Sequence, residues 1–251
     1  MNALTVGPLA FLALLVSTGL GVGLVRLLPE HHLDKDSKDA IRLTTAIVGT
    51  LAALALGLLV ASAKTTYESA NAELRTSAAR VIVLDRLMRQ YGHETDRARG
   101  LLRAFEEGRL QTDWLDDAAK AGANLEATTI EPLQEALRTL SPTTDAQRMI
   151  QTQALQISGQ LAEAHWIISE SFGGGIPSAF VAVVILWLCL LFATFGLLAP
   201  FNWTILAIFF ACSLSVAAAI FLIVDMDHPY RGAIHISDQA LRSALDHLKE
   251  N

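Results

Sequence analysis

Residues 177–224 read PSAFVAVVILWLCLLFATFGLLAPFNWTILAIFFACSLSVAAAIFLIV, a stretch without one Asp, Glu, Lys or Arg. The charge-free window extends back to Ser171. Crossing the hydrocarbon layer of a bilayer takes roughly 20 mostly apolar residues. This window therefore holds two crossings, and Leu198-Ala-Pro-Phe-Asn-Trp203 supplies the tight turn between them. Working outward, Met1–Val25 and Leu43–Ala63 are also free of charge, and each holds one crossing. The spans fall near Thr5–Leu28, Arg42–Ala63, Pro177–Leu198 and Trp203–Val224. Each must be helical, because lipid offers no partner to exposed backbone groups and no alternating barrel pattern is present. The fold class is all-α: a polytopic membrane protein with four transmembrane helices and a soluble helical bundle inserted between the second and third.

The composition agrees. Hydrophobic residues make up 52% of 251 positions and the mean hydropathy is +0.40, above the usual range for a soluble domain. The formal net charge of −6 argues against nucleic acid as a partner. The first span has no basic residue before it and is followed by Arg26-Leu-Leu-Pro-Glu30, with no small-residue cleavage site, so it reads as a retained helix. Cys189 and Cys212 both lie within spans and act as small apolar residues.

Between the two hairpins, Leu74, Ala78, Val81, Leu84, Met88 and Tyr91 recur at three- and four-residue steps, one stripe of an amphipathic helix. No Pro or Gly interrupts Lys64–Tyr91, so the second span is expected to run straight into this helix and to stop at Gly92. A shorter helix is expected over Thr95–Phe105, then a looser stretch over Gly108–Asn124. Ile130, Leu133, Leu137 and Leu140 mark a third helix ending before Pro142. Thr143 or Thr144 can cap the next, which leads to the break at Gly173-Gly-Gly-Ile-Pro177. The domains are thus 1–63, a first hairpin; 64–172, a soluble bundle; 173–228, a second hairpin; and 229–251, an amphipathic tail. In that tail Ser237 can cap a helix carrying Leu241, Ala244, Leu245 and Leu248, and docking on the bundle is favoured over the membrane surface.

Charge is uneven along the inserted segment: Lys64–Arg103 holds eight basic and five acidic residues, and Ala104–Ser171 four and eleven. Complementary helix faces within the bundle explain this. A basic vestibule that concentrates anions is the functional alternative.

Thr45, Gly49, Ala53, Gly57 and Ala61 in the second span repeat at four-residue spacing. In lipid, helices associate by close backbone approach over small residues, so a packing seam is the structural reading. The functional reading is a pore-lining helix in an oligomer, with Thr44, Thr45, Thr50 and Ser62 supplying hydroxyls. Leu51, Leu54 or Leu58 would form an apolar constriction. The pore-lining candidates are Thr45, Gly49, Thr50, Ala53, Leu54, Gly57, Leu58 and Ala61. Gly19-x-x-x-Gly23 is a second close-packing signal.

Asp225-Met-Asp-His-Pro-Tyr-Arg-Gly232 closes the fourth span. Two carboxylates at the negative end of a helix dipole need compensation. A salt bridge from Asp225 or Asp227 to Arg231 supplies it, and a bound cation is the alternative. The acidic loop at Glu30–Asp39 lacks the ligand spacing of a calcium hand, and Asp36 or Ser37 serves as the cap of the second span. His31 and His32 have metal-binding side chains, but adjacent histidines in a short polar loop are weak evidence for a site. No metal, cofactor or enzyme signature is present: there is no G-x-S-x-G, no H-E-x-x-H and no phosphate-binding glycine loop.

Leu28-Pro-Glu-His-His32, Leu56-Gly-Leu-Leu-Val-Ala-Ser-Ala-Lys64, Val83-Leu-Asp-Arg86 with Tyr91-Gly92, and Leu222-Ile-Val-Asp-Met-Asp-His-Pro-Tyr-Arg-Gly232 together resemble a bacterial membrane family described as having a bestrophin-like domain. The resemblance implies analogy to bestrophins, pentameric anion channels whose second span lines the pore and whose cytoplasmic part is helical. No bestrophin pore motif or calcium site matches residue by residue. The resemblance also implies the bacterial inner membrane, with both termini and the helical segment cytoplasmic. The charges flanking the spans do not decide the orientation. The leading functional reading is an oligomeric ion channel passing small inorganic ions such as chloride. The alternative is a non-conducting sensor or scaffold whose helical domain binds a partner. A secondary transporter ranks third, for want of an inverted repeat and mid-membrane charges.

Overall fold

Helix is the only regular structure among the described residues, as a bilayer requires of its spans and as the three- and four-residue apolar spacing requires of the rest. The computed structural model describes residues 3–29, 34–111, 129–170, 176–200, 202–229 and 233–250. In chain order the helices are α1 (Ala3–Leu27), α2 (Lys35–Tyr91), α3 (Asp96–Gln111), α4 (Glu131–Arg138), α5 (Asp145–Glu170), α6 (Ser178–Leu198), α7 (Trp203–Met226) and α8 (Gln239–Glu250). A single 3₁₀ turn, His93–Thr95, links α2 to α3. Four helices (α1, α2, α6 and α7) are long and apolar enough to cross a membrane. The chain divides into two compact units, residues 1–67 with 175–234, and residues 68–174 with 235–251.

In the first unit, α1 lies against both α6 and α7. Its core joins Ala10 and Leu14 of α1, Ala52 of α2, Val184, Leu188 and Phe192 of α6, and Ile220 of α7. The closest approach is backbone to backbone. A β-carbon on Gly21 would fall 2.0 Å from the Ala193 carbonyl oxygen, and one on Gly196 would fall 2.4 Å from the Thr18 carbonyl oxygen. Gly21 and Gly196 thus face each other across α1 and α6, where any side chain would force the helices apart. Thr18 stays compatible with this seam by donating its hydroxyl to the Leu14 carbonyl at 2.9 Å. Gly19 and Gly23, the pair suggested by spacing, have no atom of the described residues outside their own helix turn within reach of a β-carbon. Phe11 and Phe210 add an edge-to-face contact at 5.3 Å between α1 and α7.

The second unit packs the distal part of α2 with α3, α4, α5 and α8 around Leu74, Val81, Leu84, Met88, Leu102, Leu133, Leu137, Leu161, Leu241 and Leu248. Burying each such leucine contributes about 1.5–3 kcal/mol. α2 stops at Tyr91 because Gly92 has φ 129°, a conformation that only glycine adopts without strain. The Met88 carbonyl accepts the Gly92 N–H at 3.3 Å and also the Thr95 hydroxyl at 2.6 Å. Thr144 and Gln147 form a capping box at the start of α5: the Gln147 amide N–H donates to Thr144 Oγ1 at 3.1 Å, and the side-chain Oε1 accepts from the Thr144 N–H at 3.3 Å. Gln151 Nε2 then donates to the Leu137 and Leu140 carbonyls, closing α4. The Ser237 hydroxyl accepts from the Gln239 N–H at the start of α8. α8 docks on α3, where Arg103 donates to the Leu248 carbonyl at 2.6 Å and Lys249 pairs with Glu107 at 3.0 Å.

Two expectations need correction. The cap of α2 is Asp34, not Asp36 or Ser37. Its Oδ1 accepts the Ser37 N–H at 2.8 Å, three residues on, which is the geometry that satisfies a first-turn donor. The hydrogen bond with Ser37 holds the Asp34 carboxyl below the usual carboxylate range. The helix expected over Thr95–Phe105 continues as α3 to Gln111, through the start of the stretch read as loose. Burial of Glu106 and Arg109 against Ser77 of α2 accounts for the extra turn. The remainder of that stretch, with Glu30, His31, His32 and the Gly173–Gly175 break, lies outside the described residues.

Candidate functional site

A four-residue repeat does not stay on one helix face. At 3.6 residues per turn it drifts by about 40° per step. The ridge Thr45, Gly49, Ala53, Gly57, Ala61 therefore begins on one side of α2 and ends on the other. Thr45 is buried, and a β-carbon on Gly49 would sit 3.7 Å from Leu191 of α6, in ordinary contact. Ala52 and Ala63 continue that inward face. Thr50, Ala53, Leu54, Gly57, Leu58 and Ala61 are exposed. A β-carbon on Gly57 would meet nothing within 4 Å among the described residues beyond its own helix turn.

The outward face has two strips. Ala53, Gly57, Thr50 and Ala61 form a small, partly hydroxylated strip. Leu43, Ile47, Leu51, Leu54 and Leu58 form an aliphatic one beside it, with Leu54 73% and Leu58 71% exposed. The Thr50 hydroxyl donates to the Ala46 carbonyl at 2.7 Å, so its lone pairs face outward. Donation to an anion would require that hydroxyl to rotate off its carbonyl.

Asp225 and Asp227 take backbone partners. Asp225 is 1% exposed. Its Oδ1 accepts from the Ala233 N–H at 2.8 Å, and its Oδ2 from the Ile234 N–H at 2.7 Å. Asp227 Oδ2 accepts from the Ile176 N–H at 2.8 Å, tying the exit of α7 to the entry of α6. These amides supply the compensation that a carboxylate needs at a helix C-terminus. Arg231, the partner suggested by the sequence, lies outside the described residues. No cluster of three or more His, Cys, Asp or Glu side chains among the described residues could hold a metal ion.

Two polar clusters in the second unit escaped the sequence reading. Asp85 sits among the apolar positions of α2 and is 2% exposed. It receives Arg99 Nε on Oδ1 at 2.8 Å and Arg89 on Oδ2, where Arg89 Nε lies at 2.8 Å. Glu106 is fully buried and accepts from Arg109 Nη1 at 2.9 Å, with Ser77 Oγ at 3.3 Å from the same nitrogen. Burial pushes the Glu106 carboxyl up, more than Arg109 pulls it down. An acidic residue interrupting an apolar stripe, with arginines four and fourteen residues on, was the available signal for Asp85.

A family model described as the bestrophin-like domain matches residues 11–241. Three crystal structures of a bacterial bestrophin homologue from Klebsiella pneumoniae, each carrying one substitution, are similar to the chain. The first gives a TM-score of 0.68 at 12% identity, covering 96% of this chain and 97% of that one. The others give 0.66 and 0.64 at 14% identity, covering 96% of this chain and 98% and 99% of theirs. At such identities the likeness is one of fold. No curated protein sequence matches the chain.

Proposed function

The chain belongs to the bestrophin-like family, and from that membership we propose that it is an oligomeric ion channel with the outward face of α2 at its axis. The observation that carries this reading is the uncovered face itself. α2 turns small and hydroxyl-bearing side chains away from the other helices of its chain, at Thr50, Ala53, Gly57 and Ala61. Small residues leave room for a conduit, and Leu54 and Leu58 on the adjacent strip supply a constriction that gates by dewetting. Thr45 and Gly49 then support the pore wall from behind. Asp225 and Asp227 fix the membrane-edge turn rather than hold an ion.

The proposed assembly is a homo-oligomer, a pentamer by analogy, in the bacterial inner membrane, with the helical unit and both termini in the cytoplasm. The proposed cargo is a small inorganic anion such as chloride. The excess of basic residues between Lys64 and Arg103 supports that sign. Current across planar bilayers under asymmetric KCl is the test. Unitary currents with an anion-selective reversal potential are expected, and Gly57→Leu should change conductance or gating. Silence from folded, oligomeric protein would overturn the channel reading and favour the scaffold. Cation-selective currents would overturn the anion assignment alone.

A further inference from the structure

Ile82, Arg86, Arg89 and Gln90 share one face of α2 near its C-terminal end, and His247 of α8 lies opposite. Together they line a cavity of about 470 Å³ within the second unit. That volume is in the range of small-molecule sites, which run to roughly 300–1,000 Å³. Two guanidiniums and an amide on one side, with an imidazole across from them, form a donor-rich surface, and Ile82 is its apolar part.

The two arginines differ in their bonding. Arg89 is held through Nε and Nη2 by the buried Asp85, which also receives Arg99. Arg99 is shared in turn with Asp96 at 4.0 Å. Arg86, next to Asp85 in sequence, takes part in neither pairing and is exposed. Among the described residues it forms no hydrogen bond or ion pair. A guanidinium without a carboxylate partner keeps its fork of parallel N–H donors for an oxyanion, which Arg binds bidentately.

The negative ends of the neighbouring helices work against an anion, at roughly half a charge each. At α8 a full positive charge meets the helix end, and at α2 the last carbonyls are hydrogen-bonded to neutral donors. Arg103 donates to the Leu248 carbonyl of α8, and the Met88 and Tyr91 carbonyls of α2 accept from Thr95 and from Gln147 Nε2.

We propose that this cavity binds a phosphate monoester, with Arg86 as the principal contact, Arg89 and Gln90 as further donors, and the organic part of the ligand against Ile82. The donors outnumber what the two oxygens of a carboxylate accept, and they suit the three terminal oxygens of a phosphoryl group. The space exceeds a bare phosphate. The inference does not depend on whether α2 lines a pore.

The test is isothermal titration of the purified full-length protein in detergent with phenyl phosphate, with inorganic phosphate as competitor. In parallel, the protein is titrated with vesicles of phosphatidylcholine, with and without phosphatidic acid. Saturable binding of phenyl phosphate, displaced by inorganic phosphate, assigns a soluble ligand. Binding seen only with phosphatidic acid assigns a lipid headgroup to the same site. In either case Arg86→Ala should weaken binding by about ten- to a hundredfold, the loss expected for a charge-assisted hydrogen-bonded contact. Arg86→Lys should restore part of it, while Arg138→Ala and Gly57→Leu should leave it unchanged. No saturable binding to either probe, or equal binding by folded Arg86→Ala, would overturn the assignment.

Discussion

Substituting alanine for Gly21 places a methyl group where the backbone of α6 already runs. The new carbon would stand 2.0 Å from the Ala193 carbonyl oxygen and 2.9 Å from its carbonyl carbon, whereas ordinary contact begins near 3.4 Å. The obstacle is backbone on a helix, so it cannot swing aside, and α1 and α6 must separate locally by about 1.4 Å. A gap of 0.5–1 Å forfeits roughly a quarter to a half of the dispersion between facing atoms, so this one removes most of it along the seam. Overpacking of this kind costs about 1–3 kcal/mol, and a backbone-to-backbone site belongs at the upper end. Gly196→Ala meets the Thr18 carbonyl oxygen at 2.4 Å and should cost a comparable amount. Gly19→Ala and Gly23→Ala meet nothing among the described residues and should gain about 0.5–1 kcal/mol from helix propensity. Melting of the detergent-solubilised protein, followed by the loss of a monodisperse elution peak, ranks all four. If Gly21→Ala melted with Gly19→Ala and with wild type, the seam between α1 and α6 would not be the close contact argued for above. If Gly19→Ala or Gly23→Ala broke the oligomer with the monomer fold intact, those glycines would be facing a second copy.

Asp225→Ala leaves the Ala233 and Ile234 N–H groups without their acceptor. A loss of about 1.5–3 kcal/mol is expected, with faster hydrogen exchange at those two amides. Asp85→Ala removes the shared partner of Arg89 and Arg99, both partly exposed, and should destabilise by about 1.5–3 kcal/mol in denaturant titration. Glu106 has its folded pKa raised above the ordinary 4.5 by burial. The folded protein therefore holds this proton more tightly than the unfolded chain does. The contribution is fully present below that ordinary value and is lost as pH rises through the folded pKa. Glu106→Gln should flatten the stability profile from about pH 4.5 upward, measured as Tm against pH; an unchanged profile would show that the group does not titrate differently on folding.

The spans were legible because a bilayer constrains composition directly. Charge-free windows located α1, α6 and α7 to within two residues at each end, and the absence of Pro or Gly between Lys64 and Tyr91 gave the continuity of α2. The chemistry at close contacts was less legible, because it depends on partners distant in sequence. The G-x-x-x-G spacing pointed to Gly19 and Gly23, while the contact is made by Gly21 against Gly196. The carboxylates at 225 and 227 invited a side-chain partner, and their partners among the described residues include main-chain amides that no spacing announces. On α2 the small-residue ridge was real as a pattern. The mismatch between a period of four and a turn of 3.6 carried it from the inward face at Thr45 to the outward one at Ala61.

The docking of α8 on α3 has a consequence for how the protein is made. A ribosome delivers Leu102 and Phe105 well before Leu241, Ala244 and Leu248, which share their buried core. At 5–20 residues per second the interval is on the order of ten seconds. During it the nascent bundle presents an apolar flank while two further spans are being threaded into the bilayer. The second unit is thus completed only after α6 and α7 have been made, and its apolar flank waits that long for α8 to cover it.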